Sequence, residues 1–174
     1  MLYDLLDTKH CNDGSVLIHD YDFAWPDAFL KLAERVKAAL GHRVLTIEHI
    51  GSTAVPGLAA KPVIDLDVVL ASSADFPEAL RLLADMGYVH EGDLGITGRE
   101  AFRPPPGEPR HHLYLLAKGA RELRRHLAFR DALRADNDLR DRYAVLKRSL
   151  AHLYKDDRTS YTRGKSAFIA SIVE

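Results

Sequence analysis

Val44-Leu45-Thr46-Ile47-Glu48-His49-Ile50-Gly51-Ser52-Thr53 and, after twelve residues between Ser52 and Asp65, Asp65-Leu66-Asp67-Val68 inside the run Val63-Ile64-Asp65-Leu66-Asp67-Val68-Val69-Leu70 decide the fold. Both apolar runs read as strands, and the second is rich enough in Val, Ile and Leu to be a buried one. Charges are seldom buried without a partner, so two aspartates inside such a run require a reason. Side chains alternate along a strand, which puts Asp65 and Asp67 on one face and Ile64, Leu66 and Val68 on the other. Their Cα atoms then lie roughly 6.5 Å apart, at about 3.3 Å per residue. That spacing lets two carboxylates converge on one divalent cation or a close pair. Two blander readings compete: an exposed strand end with both aspartates solvated, and an ion pair with nearby Lys61.

Gly51 favours the metal. It ends the first run, where a glycine permits tight turning and close approach of a ligand. Ser52 and Thr53 offer hydroxyls and backbone N–H groups of the kind that hold anions. A phosphate turn facing two carboxylates is a layout for phosphoryl transfer. The pattern is not a P-loop, which needs a lysine directly after its second glycine and then Ser or Thr. Here Leu58-Ala59-Ala60 separates Gly57 from Lys61, and Pro62 follows. Pro56 and Pro62 also oppose a helix opening directly after the turn.

The order apolar-Gly-Ser, spacer, Asp-apolar-Asp-apolar resembles the signature of the nucleotidyltransferase superfamily, with its polymerase-beta-like fold. More narrowly, Ile47-Glu48-His49-Ile50-Gly51-Ser52-Thr53-Ala54-Val55-Pro56-Gly57-Leu58-Ala59-Ala60-Lys61-Pro62-Val63-Ile64-Asp65 resembles the GrpB family. Tyr21-Asp22-Phe23-Ala24-Trp25-Pro26 with Phe29 is similar to that family's opening. His111-His112-Leu113-Tyr114, Phe129-Arg130-Asp131, Tyr143 with Leu146-Lys147, and Tyr161 with Lys165 and Phe168-Ile169 are similar to its later motifs. The likeness runs from about Val16 to the end. It implies an α+β fold, a mixed β-sheet with packed helices and a C-terminal helical lobe. The expected organisation is one domain over 1–174, with a sheet-containing core over about 15–118 and the lobe over about 119–174.

The residues support α+β independently, since strands and helices mix early and helices dominate late. Val16-Leu17-Ile18 is a short strand candidate. Pro26 suits a helix first turn, Phe29, Leu32, Val36 and Leu40 follow helical spacing, and Gly41 ends it. Ser72 or Ser73 caps a second helix closed by Gly87. Tyr88-Val89 and Glu100-Ala101-Phe102-Arg103 suggest short edge strands, Pro104-Pro105-Pro106-Gly107 a break, and Arg110 to Leu116 another strand. After Gly119 the leucine spacing is helical to the end.

The 174 residues suffice for a well-buried domain, and 47% hydrophobic with 28% charged residues is ordinary for a globular protein. A formal net charge of −1 gives no general attraction to nucleic acid or acidic membranes. Cys11 is the sole cysteine, read as an inert thiol in a polar segment that runs to about Gly14; no intrachain disulfide is possible, which favours a reducing compartment. With neither a signal peptide nor an apolar run of about 18 residues, a cytoplasmic protein is expected.

Nucleotidyltransferases usually place a third carboxylate on a neighbouring strand, but Arg110-His111-His112-Leu113-Tyr114-Leu115 has none. His112 either takes that place, as ligand or general base, or hydrogen-bonds an aspartate at the cleft edge. GrpB relatives commonly have a further histidine where Tyr114 stands. His49 is expected to be packed and hydrogen-bonded. Lys61 reaches a phosphate or neutralises Asp65. The family motifs carry Arg130, Lys147 and Lys165 into the helical lobe as cations for a triphosphate, with Arg103 and Arg110 as looser candidates. Tyr161 and Lys165 share a helix face as aromatic surface and charge, or as core and rim.

The resemblance implies a transferase that uses Mg²⁺ (or Mn²⁺) on Asp65 and Asp67, binds nucleoside triphosphate at Gly51-Ser52, and moves a nucleotidyl group to an unknown acceptor. A degenerate module of the same fold, binding nucleotide or a partner without turnover, is the alternative. The missing third acid supports it, as does the fusion of related domains to dephospho-coenzyme A kinase. A metal-dependent phosphohydrolase is a third possibility.

Overall fold

The structure, a computed structural model, describes residues 16–173. Cys11 and the polar segment to Gly14 lie outside the described residues. Five strands, β1 (Val44–Ile50), β2 (Ile64–Leu70), β3 (Val89–His90), β4 (Arg99–Arg103) and β5 (His111–Ala117), form one sheet in the order β1-β2-β5-β4-β3. β2 and β5 run parallel, and every other neighbouring pair is antiparallel, so the sheet is mixed as expected. The aspartate-bearing β2 lies inside the sheet, which accounts for its apolar composition.

Period two divides the faces. Ile64 and Leu66 pack with Trp25 and Leu32 of α1 (Trp25–Leu40), while Val68 and Leu70 pack with Val36 of α1 and with Ala79 and Leu83 of α2 (Phe76–Asp85). On the opposite face Val69, Ile50, Tyr114 and Leu116 pack with Leu123 of α3 (Arg121–Ala135). α4 (Asn137–Leu153) and α5 (Arg158–Val173) pack on α3, around Leu133 and Tyr143. Asp65 lies opposite Ile50 and His112, and Asp67 opposite Glu48 and Tyr114. Both aspartates therefore face the layer of late helices.

Local chemistry sets the helix ends. Pro26 stands in the first turn of α1, and Gly41 ends it at φ 61°. The Ser72 hydroxyl accepts from Ala74 N (3.0 Å) and opens the 3₁₀ turn Ser73–Asp75 that leads into α2. Asp136 accepts from Leu139 N (3.0 Å) and caps α4. Two expectations need correction. Val16-Leu17-Ile18 forms no strand: Val16 N donates to Lys155 O (2.8 Å), and its side chain buries beside Leu150 and Tyr161. With helices rather than a sheet edge alongside, the segment has no ladder to join, and His19 makes a single antiparallel bridge with Ala60. β4 is not an edge strand, because the two-residue β3 covers it. No helix among the described residues is long and apolar enough to cross a membrane.

Candidate functional site

β1 delivers the chain to Gly51, whose φ of 70° disfavours any residue with a Cβ. A Cβ there would also stand 2.2 Å from Asp65 Oδ2, so the turn and the first aspartate are in direct apposition. The following 3₁₀ turn, Ser52–Ala54, is braced from inside. The Thr53 hydroxyl donates to Val63 O (3.2 Å) and lies 3.1 Å from His49 Nε2. His49 stacks on Phe29 at 4.5 Å, and burial lowers its pKa to about 4, so it is the packed, neutral histidine expected. From the helices, Arg134 donates twice to Ala54 O (2.9 and 2.7 Å), and Lys147 Nζ donates to Ser52 Oγ (2.9 Å) and to Ala59 O. Three side-chain clamps thus fix a single 3₁₀ turn that is too short to be rigid by itself.

The carboxylates sit side by side on β2. Asp65 Oδ1 accepts from His112 Nδ1–H (2.7 Å), across the parallel β2–β5 pair. Asp67, 0% exposed, accepts at Oδ2 from His126 Nδ1–H of α3 (2.7 Å), and His126 Nε2 lies 3.2 Å from Glu122 Oε1. Burial alone would lower the His126 pKa, but Asp67 and Glu122 together raise it to about 9. Burial pushes Asp67 upward against the pull of His126 and Arg99. We assign a protonated His126 between two carboxylates, because it hydrogen-bonds both, whereas Asp67 bonds through one oxygen only. The other, Asp67 Oδ1, is buried without a hydrogen-bond partner. An orphaned carboxylate oxygen beside a second carboxylate fits a hard divalent cation. Among the described residues no three His, Cys, Asp or Glu side chains are disposed to hold one metal. Mg²⁺ suits such a site, since it commonly takes one or two carboxylates and completes its shell with water and substrate phosphate.

Above the carboxylates a cavity of about 200 Å³ opens between sheet and helices, with Gly51, Ser52, Asp65 and His112 on its floor and Lys61, Tyr161 and Lys165 among its walls. Lys165 Nζ lies 4.5 Å and Lys61 Nζ 5.6 Å from the Tyr161 ring centre. Tyr161, 1% exposed, is both core and cavity wall. Burial, reinforced by Lys61, lowers the Lys165 pKa to about 7. Lys147, 2% exposed, is shifted well below its usual value by burial.

Of the residues expected in the site, Gly51, Ser52, Lys61, Asp65, His112, Lys147, Tyr161 and Lys165 all line this cavity, and Asp67 meets it through His126. Arg130 does not. Its Nη1 donates to Glu48 Oε2 (2.9 Å) and His49 O (3.1 Å) and its Nε to Asp131 (2.7 Å), so it ties α3 to β1. Glu48, facing α3 from β1, outcompetes the cavity for that guanidinium. Arg103 pairs with Glu91 at 3.8 Å, and Arg110 lies outside the lining. The residues missing from the sequence reading are His126, Glu122 and Arg99. Glu122 and His126 stand one turn apart on α3, a spacing that marks a shared face but not what the face meets. Arg99 carries no local signal, since its importance depends on β4 lying beside β5.

Three kinds of comparison bear on this arrangement. Residues 15–174 match the family described as GrpB protein. A UPF0157 protein of Halalkalibacterium halodurans is 37% identical over 94% of this chain and 83% of its own length. YqkA, a UPF0157 protein of Bacillus subtilis, is 35% identical over 88% of this chain, but the match spans only 45% of its length. A dephospho-CoA kinase of Mycolicibacterium paratuberculosis is 29% identical, matched over 46% of its length. Among solved structures, GrpB from Enterococcus faecalis superposes with a TM-score of 0.82 at 35% identity, over 90% of this chain and 94% of that one. Cid1, solved in complex with its short product ApU, superposes with a TM-score of 0.54 at 12% identity, over 75% of this chain and 42% of that one, a likeness of fold alone. A family match across every described residue, joined to a solved relative of the same fold and nearly the same length, establishes that this chain belongs to the GrpB family.

Proposed function

We propose that the cavity binds the phosphates of a nucleoside triphosphate together with Mg²⁺ (or Mn²⁺), and that the protein transfers a nucleotidyl group to an acceptor. The observation that carries this reading is the apposition of the Gly51 turn to Asp65, with the orphaned Asp67 Oδ1 on the same sheet face. Asp65 and Asp67 would hold the metal, which when bound supplies charge neutralisation on the phosphates. Ser52 at the turn, with Lys61 and Lys165 from the walls, offers donors and positive charge to the remaining phosphate oxygens. His112 gives its Nδ1–H to Asp65, which leaves Nε2 as the basic nitrogen. In the transfer, an acceptor oxygen or nitrogen forms a bond to the α-phosphorus and the bond to the bridging oxygen breaks. Pyrophosphate leaves, and His112 Nε2 takes the acceptor's proton. At about 200 Å³ the cavity is smaller than the roughly 300–1,000 Å³ of typical ligand pockets, so it suits the phosphates and leaves base and ribose at its mouth.

A binding module without turnover is the second reading. Both aspartates already accept a histidine N–H, and β5 supplies His112 in place of a third acid. Calorimetry of ATP binding with and without Mg²⁺ tests what the two readings share. The wild type should bind ATP more tightly with Mg²⁺, and Asp65→Asn with Asp67→Asn should abolish that dependence. The double variant should stay folded but melt lower, because asparagine keeps an acceptor for each histidine while the buried His126 imidazolium loses the charge of Asp67. Collapse of the metal-free fold would mean that the aspartates serve as structural ion-pair partners.

A further inference from the structure

Arg99 of β4 is 1% exposed and lines the same cavity from the side away from the Gly51 turn. Its guanidinium lies 4.6 Å over the ring of Tyr114. Among the described residues its one hydrogen bond runs from Nη2–H to Asp93 O (3.1 Å), and it forms no ion pair. Nε–H is buried without any partner. Asp67, Glu122 and Asp93 act on it only at a distance, while Asp67 and Glu122 are already engaged by His126. A buried guanidinium with one protein hydrogen bond among its five donors is poorly compensated for its desolvation. The stacked Tyr114 ring holds it in place rather than neutralising it. Such a group is complete only with an anion from outside.

We propose that Arg99 is the anion-recognising end of an acceptor subsite, so that the acceptor bears a carboxylate or phosphate group a short distance from the atom that attacks. This rests on assigning the Gly51–Asp65 end of the cavity to the nucleotide. β4 lies two strands from β2, roughly 10 Å at about 4.8 Å per strand, a span that a small molecule bridges. A group that is 1% exposed meets only what enters the cavity. A mid-chain phosphate of a polynucleotide cannot do so, which makes the acceptor a small anionic molecule. The planar fork of the guanidinium suits a carboxylate or phosphate held by two parallel N–H bonds.

The Arg99 Nε–Hε resonance of the isotope-labelled full chain, titrated with succinate and separately with inorganic phosphate, tests this without nucleotide, divalent metal or turnover. A saturable shift with either anion is expected, and the one that saturates at lower concentration identifies the group. Arg99→Met, which keeps the stem over Tyr114, should weaken that anion about tenfold or more, read from the Tyr114 and His126 resonances. Arg99→Lys, which keeps the charge but not the fork, provides a second variant should the first fail to fold, and should weaken it less. No shift of the Arg99 resonance with either anion overturns the proposal, as does unchanged affinity in the variants. A parallel titration with Mg²⁺ and ATP separates the two assignments. Saturation at Arg99 in a protein that binds no ATP would keep the anion site and remove the nucleotide reading.

Discussion

At Gly51 a single residue meets two demands, a φ of 70° and an approach that would bring a Cβ to 2.2 Å from Asp65 Oδ2. Gly51→Ala is therefore expected to lose about 1–3 kcal/mol from backbone strain alone, and to displace Asp65, whose carboxylate cannot share that space. Urea unfolding measures the first effect and Mg²⁺-dependent ATP binding the second; a variant as stable as the wild type would show that the turn relaxes freely. Lys165 gives a prediction in pH. Burial, with Lys61, lowers its folded pKa from the usual 10.5 to about 7. Between those values the unfolded chain holds a proton that the folded chain does not, so stability rises with pH across that window. The penalty is fully present below pH 7 and vanishes near pH 10.5. Lys165→Met should thus raise stability at pH 6 and leave it nearly unchanged at pH 10.5. ATP affinity of the wild type should fall between pH 6 and pH 8.5 as the ammonium is lost, and Lys165→Met should flatten that fall. A pH-independent affinity would place Lys165 outside the phosphate site.

Between elements, the late helices do two separate jobs, and adjacent cations on α3 illustrate both. Arg130 and Arg134 bond to the carbonyls of His49 and Ala54, at the end of β1 and in the turn, while His126, one helical turn earlier, bonds Asp67. Arg130→Ala should cost about 1–3 kcal/mol, because Glu48 loses a charged partner on a half-buried face, with little change in nucleotide affinity. Chemical denaturation beside calorimetry separates the two; a large loss of affinity at unchanged stability would return Arg130 to the cavity. This division was only partly legible in the sequence. The strands β1 and β2 and the shared face of Asp65 and Asp67 follow from alternation, and Gly51 from its place at the end of an apolar run. Arg130 and Lys147 were legible as motif residues, but not which carbonyl or carboxylate would take them. That choice depends on the packing of α3 and α4 over the turn. Arg99 and His126 became visible only with the strand order, which places β5 and β4 beyond β2 and sets α3 across them.

For the molecule as a whole, a formal net charge of −1 means that any attraction for a triphosphate under the proposed function has to be local, from Lys61, Lys165 and the Gly51 turn against two aspartates. The fold that creates this locality is shared, as fold alone, with Cid1, and over nearly the full length with a GrpB protein of Enterococcus faecalis. Fold permits a chemistry without fixing it, so the central claim stands on what the cavity does with the α-phosphorus. Because nucleotidyl transfer breaks the α–β linkage and leaves pyrophosphate, the position of a label reports the reaction directly. The most direct measurement incubates the full chain with Mg²⁺ and either α-labelled or γ-labelled ATP, in a bacterial small-molecule extract as the source of acceptor. Nucleotidyl transfer predicts that the α-label enters a new acid-stable product while the γ-label leaves as pyrophosphate, and that Asp65→Asn with Asp67→Asn abolishes both. Release of the γ-label as orthophosphate with no α-labelled product, or retention of both labels in intact ATP, would contradict it.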